Sequence, residues 1–525
     1  MVRAVASRVV PRARISKAIA KEKKAEAAAR LVLAKHADVP ESVNSIPTHS
    51  AATVDELAEA GAVIRPMGCS RRVYLLDPHL SANELEGLAY RIRALAKNES
   101  INSVLIATND RDDAAHNCIP NYSSEELEPN YDDLGVDFDP VPGSTWHVSG
   151  GYNPLDLAFD KDGNRVSQDN LAHMMDSVRK LGLATKGEDG VTKVPVITMP
   201  HGAISDAGYA LCLGSYVLAT PQTCFRILNP SRGLGLDPVG FSYLLPRLGW
   251  EFKQRSSKYK GCGMLLALAG FEAKPYDMVE TGLATHTVSS AGALSLLEYG
   301  LAMIPPYEQQ NLVKKWKRYY GQRPVDDANA KMRNVAVANV VDQFCNYAAD
   351  KSNSLPVEYW RGVSVEDPAF DVDIAPWEAA FFTSDLVDIA ATFDEFFKEA
   401  TLEGLVERFR EVASRHTEDP EEQEGIDVAK QFVENVERQS PLALRVVHKL
   451  LALGIGNRET LENCMERERN SQVKLLQGED FYNWAQHVSR HGGDESKAPP
   501  FTGWKHKNVA SVTADEVDEI LSGIN

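Results

Sequence analysis

The sequence is poor in the features that mark several protein classes. Its seven cysteines, spread over 525 residues, stand far apart at Cys69, Cys118, Cys212, Cys224, Cys262, Cys345 and Cys464. No C-x-x-C pair or Cys/His cluster has zinc spacing, and an odd, scattered set reads as reduced thiols filling core positions. No apolar run approaches the roughly 20 residues of a membrane-spanning helix. The longest, Pro441 to Gly456, is broken by Arg445, His448 and Lys449, so no membrane partner is expected. No repeat period is present, which argues against a solenoid. Positive charge is scarce beyond the start of the chain. Of 56 basic and 74 acidic residues, ten and two lie in Met1–Lys35, leaving 46 against 72. A body of that sign repels phosphate and does not coat nucleic acid over a wide face.

The remaining features fit a globular chain, 43% hydrophobic and 25% charged, long enough for a large α/β domain and a second module. Met1–Arg30 is rich in Arg and Ala and has no acid before Glu22. That is the composition of a mitochondrial transit peptide; an exposed basic tail without address function is the other reading. Either way positive charge is gathered in an arm. Arg3, Arg8, Arg12, Arg14 and Lys17 are the residues expected to contact another chain.

Downstream, RRVYLL (Arg71–Leu76) reads as the first strand. Ser81 stands three residues before Glu84, a capping-box spacing, and Leu85, Leu88, Ile92 and Leu95 follow on one helical face. SVLIAT (Ser103–Thr108) suits a buried strand, so strand, helix and strand predict a right-handed parallel crossover. Asn109–Pro140 then holds ten acids and a single base, Arg111, and reads as a solvated insertion. Leu171, Met174, Met175, Val178 and Leu181 form another helical stripe, followed by the strand VPVITM (Val194–Met199). A further apolar run, Ser215–Thr220, precedes Phe225–Leu228. Beyond Pro305 the texture turns helical and charged, with Trp377–Val412 and Val428–Leu451 reading as amphipathic helices. The chain thus divides into a basic arm or transit peptide (1–50), an α/β core (51–304) with an acidic insertion (109–140), and a helix-rich region (305–525).

Several segments resemble a known family. Thr145–Tyr152 (TWHVSGGY) is similar to the crotonase loop after the second core strand. Pro200–Leu211 (PHGAISDAGYAL) is similar to the glycine-rich turn that opens the family's central helix. Phe225–Leu248 ends in Leu-Pro-Arg-Leu, like the matching stretch of 3-hydroxyisobutyryl-CoA hydrolases. Leu266–Val288, Gln439–Arg445 and Gly478–Phe481 continue the likeness. The chain therefore resembles the crotonase superfamily and, within it, the 3-hydroxyisobutyryl-CoA hydrolases. The resemblance implies an α/β fold: a ββα spiral (ClpP/crotonase-like) core with a helical C-terminal region.

Crotonase reactions pass through an enolate or tetrahedral oxyanion on a CoA thioester, held by two backbone N–H groups. Small residues suit that place because acyl chain and backbone approach closely. By resemblance the first donor falls at Ser149, before Gly150-Gly151. The second falls where the family has three glycines and this chain has Asp206-Ala207-Gly208. A carboxylate there either sets negative charge beside the oxyanion or caps the following helix. Where the hydrolase pattern has Glu after a proline, this chain reads Asn229-Pro230-Ser231. Pro230 thus takes the acid/base position and can neither give nor take a proton. The family's Pro-Asp pair is reversed in Asp237-Pro238, so Asp237 reaches the pocket only if the turn shifts by one residue, and otherwise opens a turn. The family's Asp after the first-loop glycines is Tyr152. His201, at a strand end, is either recruited to chemistry or an ordinary hydrogen-bonded histidine.

The resemblance implies two functions. One is a catalytically degenerate protein, similar to the hydrolase-like member that some lineages build into the small subunit of the mitochondrial ribosome. Its partners would be mitochondrial ribosomal proteins, with rRNA touched by the basic arm. The other is a matrix hydrolase of valine breakdown with a rearranged site. No cofactor is expected for the first, and CoA binding is left open.

Overall fold

The computed structural model describes residues 62–75, 79–98, 101–108, 151–160, 163–187, 194–200, 202–220, 223–251, 256–257, 259–287, 293–304, 336–342, 385–417, 419–456 and 459–522. The basic arm, the acidic insertion, Ser149, Gly150 and His201 lie outside them. A six-stranded sheet runs in the order β1 (Ala62–Met67), β2 (Ser70–Leu75), β3 (Val104–Thr108), β4 (Val196–Met199), β6 (Tyr216–Ala219), β10 (His286–Thr287); β5 (Ala203–Ser205) pairs with β7 (Cys224–Arg226), and β8 (Trp250–Glu251) with β9 (Ser256–Ser257), outside it. β1 and β2 form an antiparallel hairpin, with Ala62 opposite Leu75 and Met67 opposite Ser70. Gly68 makes its tight turn at φ 57°, and a Cβ there would meet the Ala302 carbonyl oxygen at 2.4 Å. β3, β4, β6 and β10 then add in parallel. The three strands read from sequence share this sheet. β1 was not foreseen.

Alternation along the strands gives the sheet two apolar faces. Val73, Val104, Ile106, Val196 and Val217 enter the main core, while Leu105, Ala107, Ile197, Met199 and Leu218 enter a smaller one. α1 (Ala82–Lys97) and α3 (Gln168–Lys186) cover the first face through the two stripes named above. The capping box of α1 forms as read: Ser81 N–H donates to Glu84 Oε2 at 2.7 Å, and Glu84 N–H donates to Ser81 Oγ at 3.4 Å. α2 (Pro154–Ala158) stands between α1 and α3 in the chain, and α4 (Phe241–Leu244), α5 (Lys260–Ala269) and α6 (Pro275–Thr281) follow α3. On the second face α7 (Ala293–Ala302) supplies Leu297 and Leu301. There the buried Arg72 pairs with the buried Glu298.

From Asp385 onward the helical C-terminal region packs onto the first face and continues its core, while Val337 and Val341 join the smaller one. Its helices are shorter than the sequence suggests. α8 (Asp385–Thr392) and α9 (Leu402–Ala413) are separated by a 3-10 turn, Phe396–Lys398. That reversal brings Phe393, Phe396 and Phe397 around Phe409, at ring distances of 4.8, 5.2 and 5.9 Å. α10 (Pro420–Arg438) and α11 (Pro441–Gly454) break at Ser440, which caps α11 with Pro441 in its first turn. α12 (Leu461–Leu476) and α13 (Glu479–Arg490) follow, and α14 (Ala514–Leu521) closes the described chain. Among the described residues no helix is long and apolar enough to cross a membrane.

Candidate functional site

β5 (Ala203–Ser205) pairs in parallel with β7 (Cys224–Arg226), and their ends bring two short 3-10 segments together, Asp206–Leu213 and Asn229–Arg232. The first stands where the resemblance implies an α-helix. It is anchored by the Tyr209 ring, 4.9 Å from Phe225 and 5.6 Å from Phe241, and by a 2.9 Å hydrogen bond from Tyr209 Oη to the Leu283 carbonyl.

Asp206 opens this segment at φ 46°, and among the described residues it alone adopts positive φ without being glycine. Asp tolerates that region better than most residues, at a cost of about 1–2 kcal/mol. Three hydrogen bonds offset the strain. Oδ1 accepts from the Leu228 and Asn229 N–H groups at 2.9 and 3.2 Å, and Oδ2 accepts from Arg232 at 3.1 Å. The capping alternative is thereby corrected: the carboxylate binds the donors of the neighbouring turn, not those of its own helix. A positive-φ start aims the side chain across the gap. Burial raises its pKa to about 7 against the opposing pull of Arg232, with Asp237 adding to the rise.

Arg232, also buried, joins Asp206 to Glu495 of the C-terminal region at 2.8 Å. Burial works against its charge, but the Glu495 and Asp206 carboxylates win and raise its pKa. Pro230 sits in the same turn, and its carbonyl accepts from Ser440 N–H at 3.0 Å, tying the turn to the start of α11. Ser440 Oγ in turn donates to Asp480 of α13 at 2.6 Å.

Asp237 does face inward, so the two sequence alternatives for it hold together: its carbonyl accepts the Val239 N–H of a tight turn at 2.7 Å, while its side chain is fully buried. Tyr152 Oη donates to Asp237 Oδ1 at 2.6 Å, and Gln472 Nε2 donates to the same oxygen at 3.0 Å. Burial raises the carboxyl pKa, and the contacts with Tyr152, Asn229 and Gln472 act against the rise. Burial likewise pushes the Tyr152 phenol well above its usual range, as does the neighbouring Asp237. Gly151 bridges to His79, and its carbonyl accepts from Leu80 N–H at 2.9 Å, which places Tyr152 over the site. Ala207 is buried beside Asp206.

The structure therefore gathers Tyr152, Asp206, Ala207, Pro230 and Asp237 into one buried polar cluster. Sequence reading missed the residues that close it: Arg232, Gln472, Glu468, Ser440, Asp480 and Glu495. Gln472 spans the joint, since its Oε1 also accepts from Gly235 N–H at 2.8 Å. Glu468, one helical turn earlier on α12, is fully buried and accepts from the Gly240 and Ser242 N–H groups at 2.7 and 2.5 Å. Burial raises its pKa to about 8. The available signal was the i, i+4 polar pair Glu468 and Gln472 beside buried Met465 and Leu476, but Glu468 lies inside the charged run Glu466–Asn470, which reads as a solvated face. Among the described residues no cluster of three His, Cys, Asp or Glu could hold a metal. A cleft of about 350 Å³ opens nearby between Leu244, Arg247, Glu280 and Leu283, and neither Asp206, Pro230 nor Asp237 lines it.

Comparisons with known proteins agree with this architecture. The family model described as Enoyl-CoA hydratase/isomerase matches residues 190–353 and 372–521. The mitochondrial 3-hydroxyisobutyryl-CoA hydrolase of Gallus gallus is 33% identical over 139 residues, covering 26% of this chain and 33% of the relative. The human one is 26% identical over 189 residues, 34% of this chain and 46% of the relative. The Xenopus laevis one is 22% identical over 337 residues, 64% of this chain and 65% of the relative. This chain thus spans less than two thirds of the length of each of these relatives. Among solved structures, an enoyl-CoA hydratase from Rhodobacter sphaeroides 2.4.1 superposes with a TM-score of 0.52 at 14% identity, over 88% of this chain and 97% of that one. A carnitinyl-CoA dehydratase from Mycobacterium thermoresistibile gives 0.51 at 13% identity, over 89% and 97%. Those two likenesses show the crotonase fold. The chain belongs to the enoyl-CoA hydratase/isomerase family of the crotonase superfamily, as a 3-hydroxyisobutyryl-CoA hydrolase-like member.

Proposed function

We propose that this chain is a catalytically degenerate hydrolase-like protein that serves as a structural component of the mitochondrial ribosomal small subunit. The observation that carries the reading is the pairing of Arg232 with both Asp206 and Glu495, next to a proline at the acid/base position. Thioester hydrolysis needs a proton-transfer group and donors aimed at a developing oxyanion. Pro230 provides no proton. Asp206 brings a carboxylate where charge of its own sign would develop, and its pairing with Arg232 spends that cation on the protein itself. Asp237, the remaining acid, is held by Tyr152 and Gln472. Each group is used to join the core to the C-terminal helices, which is what a scaffold requires.

The relatives' mitochondrial names support a mitochondrial location, and the matrix is where such a subunit assembles. Contacts of an acidic body would be mainly to ribosomal proteins, with Arg3, Arg8, Arg12, Arg14 and Lys17 reaching rRNA or an acidic neighbour. No cofactor enters this reading. The test is co-sedimentation of the tagged protein with mitochondrial small subunits across a salt series, with and without residues 1–35 behind a separate import signal. The reading expects association that weakens and loses salt sensitivity on deletion. Full-length protein remaining at the top of the gradient contradicts it.

The second reading, an active matrix hydrolase, draws on the short Tyr152–Asp237 contact, which could relay a proton if substrate reached it. Acyl-CoA turnover separates the two.

A further inference from the structure

His487 and His491 lie four residues apart at the C-terminal end of α13, with ring centroids 4.5 Å apart. His487 Nε2 is 2.8 Å from the Pro499 carbonyl oxygen, and His491 Nδ1 is 2.8 Å from the His487 carbonyl oxygen. A carbonyl oxygen only accepts, so each of these nitrogens carries the hydrogen. In the neutral ring the other nitrogen is then a lone-pair donor: Nδ1 on His487 and Nε2 on His491. Metal-ligating histidines are held in this way, with the second ring N–H given to a backbone carbonyl or carboxylate that fixes tautomer and orientation.

The spacing is also that of two ligands on one helical face, as in H-x-x-x-H metal motifs. The helix terminus carries partial negative charge, which favours a cation there. His491 is exposed, so access is open. The Phe501 ring, 5.4 Å from the His487 ring, buttresses the pair from the segment that brings Pro499 back.

We propose that His487 and His491 form a two-imidazole site for a divalent transition metal of the zinc, nickel and copper class. Imidazole nitrogen is the ligand type that these borderline ions select over magnesium or calcium. Two protein nitrogens fill part of the coordination sphere and water fills the rest. The site is independent of the ribosomal reading.

The test is calorimetric titration of the full-length protein with Ni²⁺ at neutral pH. It compares wild type, His487→Gln, His491→Gln, the double variant, and His173→Gln as a control on α3. Glutamine retains a hydrogen-bond donor for each carbonyl, so folding is preserved while the imidazole ligand is lost. Wild type should bind one more Ni²⁺ per chain than the double variant. Each single change should weaken that event at least about tenfold, and His173→Gln should leave it intact. A double variant with wild-type stoichiometry and affinity overturns the assignment, as does a wild-type chain that takes up no Ni²⁺ at about 1 mM.

Discussion

Tyr152 donates its phenolic hydrogen to Asp237 over 2.6 Å, joining two segments 85 residues apart inside a fully buried site. Removing that donor leaves a buried acceptor less well paired, at a typical cost of about 1–3 kcal/mol. Tyr152→Phe should therefore lower the urea midpoint without changing the slope. In an Asp237→Asn background the same change should cost less, with a coupling of at least about 0.5 kcal/mol. Additive effects would mean that the two side chains do not support one another.

Arg232 lies between Asp206 and Glu495, and replacing it with Met removes the cation from both. Breaking a buried pair from one side costs about 3–5 kcal/mol, because the remaining charge stays desolvated. Arg232→Met should be strongly destabilising, and adding Asp206→Asn should recover part of the loss. Asparagine keeps an oxygen for the Leu228 and Asn229 N–H groups and requires no counter-charge. Denaturant melts of the three proteins check this. A double variant less stable than Arg232→Met alone contradicts it.

Glu468 provides a pH signature of unusual sign. Burial raises its pKa from 4.5 to about 8, so the folded state binds the proton more tightly than the unfolded chain. The stability it allows is complete below the unfolded value and is lost progressively as pH rises through the folded one. Asp206, raised from 3.8 to about 7, acts in the same direction. Unfolding free energy followed from pH 5 to pH 9 should fall more steeply for wild type than for Glu468→Gln. Parallel curves would remove Glu468 from the account.

Two helical glycines should respond oppositely to alanine. A Cβ on Gly454 would lie 1.7 Å from the Ser242 carbonyl oxygen, where α11 meets the short helix α4 (Phe241–Leu244). A Cβ on Gly425, within α10, meets nothing within 4 Å. Gly454→Ala should destabilise by more than about 2 kcal/mol through the forced separation of the helices. Gly425→Ala should stabilise by about 0.5–1 kcal/mol through lost backbone freedom in the unfolded chain. Melting temperatures of the two variants check the pair, and a shift in the same direction for both would refute it.

How much of this was legible in the sequence depended on the range of the deciding contact. β3 and β4 were, because unbroken β-rich runs declare strands buried on both faces, and β2 was, because Val73-Tyr74-Leu75 follows its two arginines. The capping box of α1 was, because Ser81 and Glu84 satisfy each other locally. β1 was not: AVIRPM carries an arginine and a proline, and its pairing depends on a turn at Gly68 that fits under Ala302. The break before α9 escaped notice because Phe393, Phe396 and Phe397 stand at helical spacing and conceal a reversal that only their packing on Phe409 explains. Asp206 and Asp237 stood out against the family pattern, but their partners Arg232, Gln472 and Glu495 did not. Those are set by long-range packing, and a charged run such as MERERN reads the same whether one of its glutamates is buried or all are exposed.

The central claim is that the polar cluster around Asp206 and Asp237 joins the core to the C-terminal helices and performs no thioester hydrolysis. The most direct measurement is release of free CoA thiol from 3-hydroxyisobutyryl-CoA by the purified wild-type chain. The account predicts the uncatalysed rate, unchanged by Asp237→Asn. Turnover of about 1 s⁻¹ or more that disappears in Asp237→Asn would contradict it.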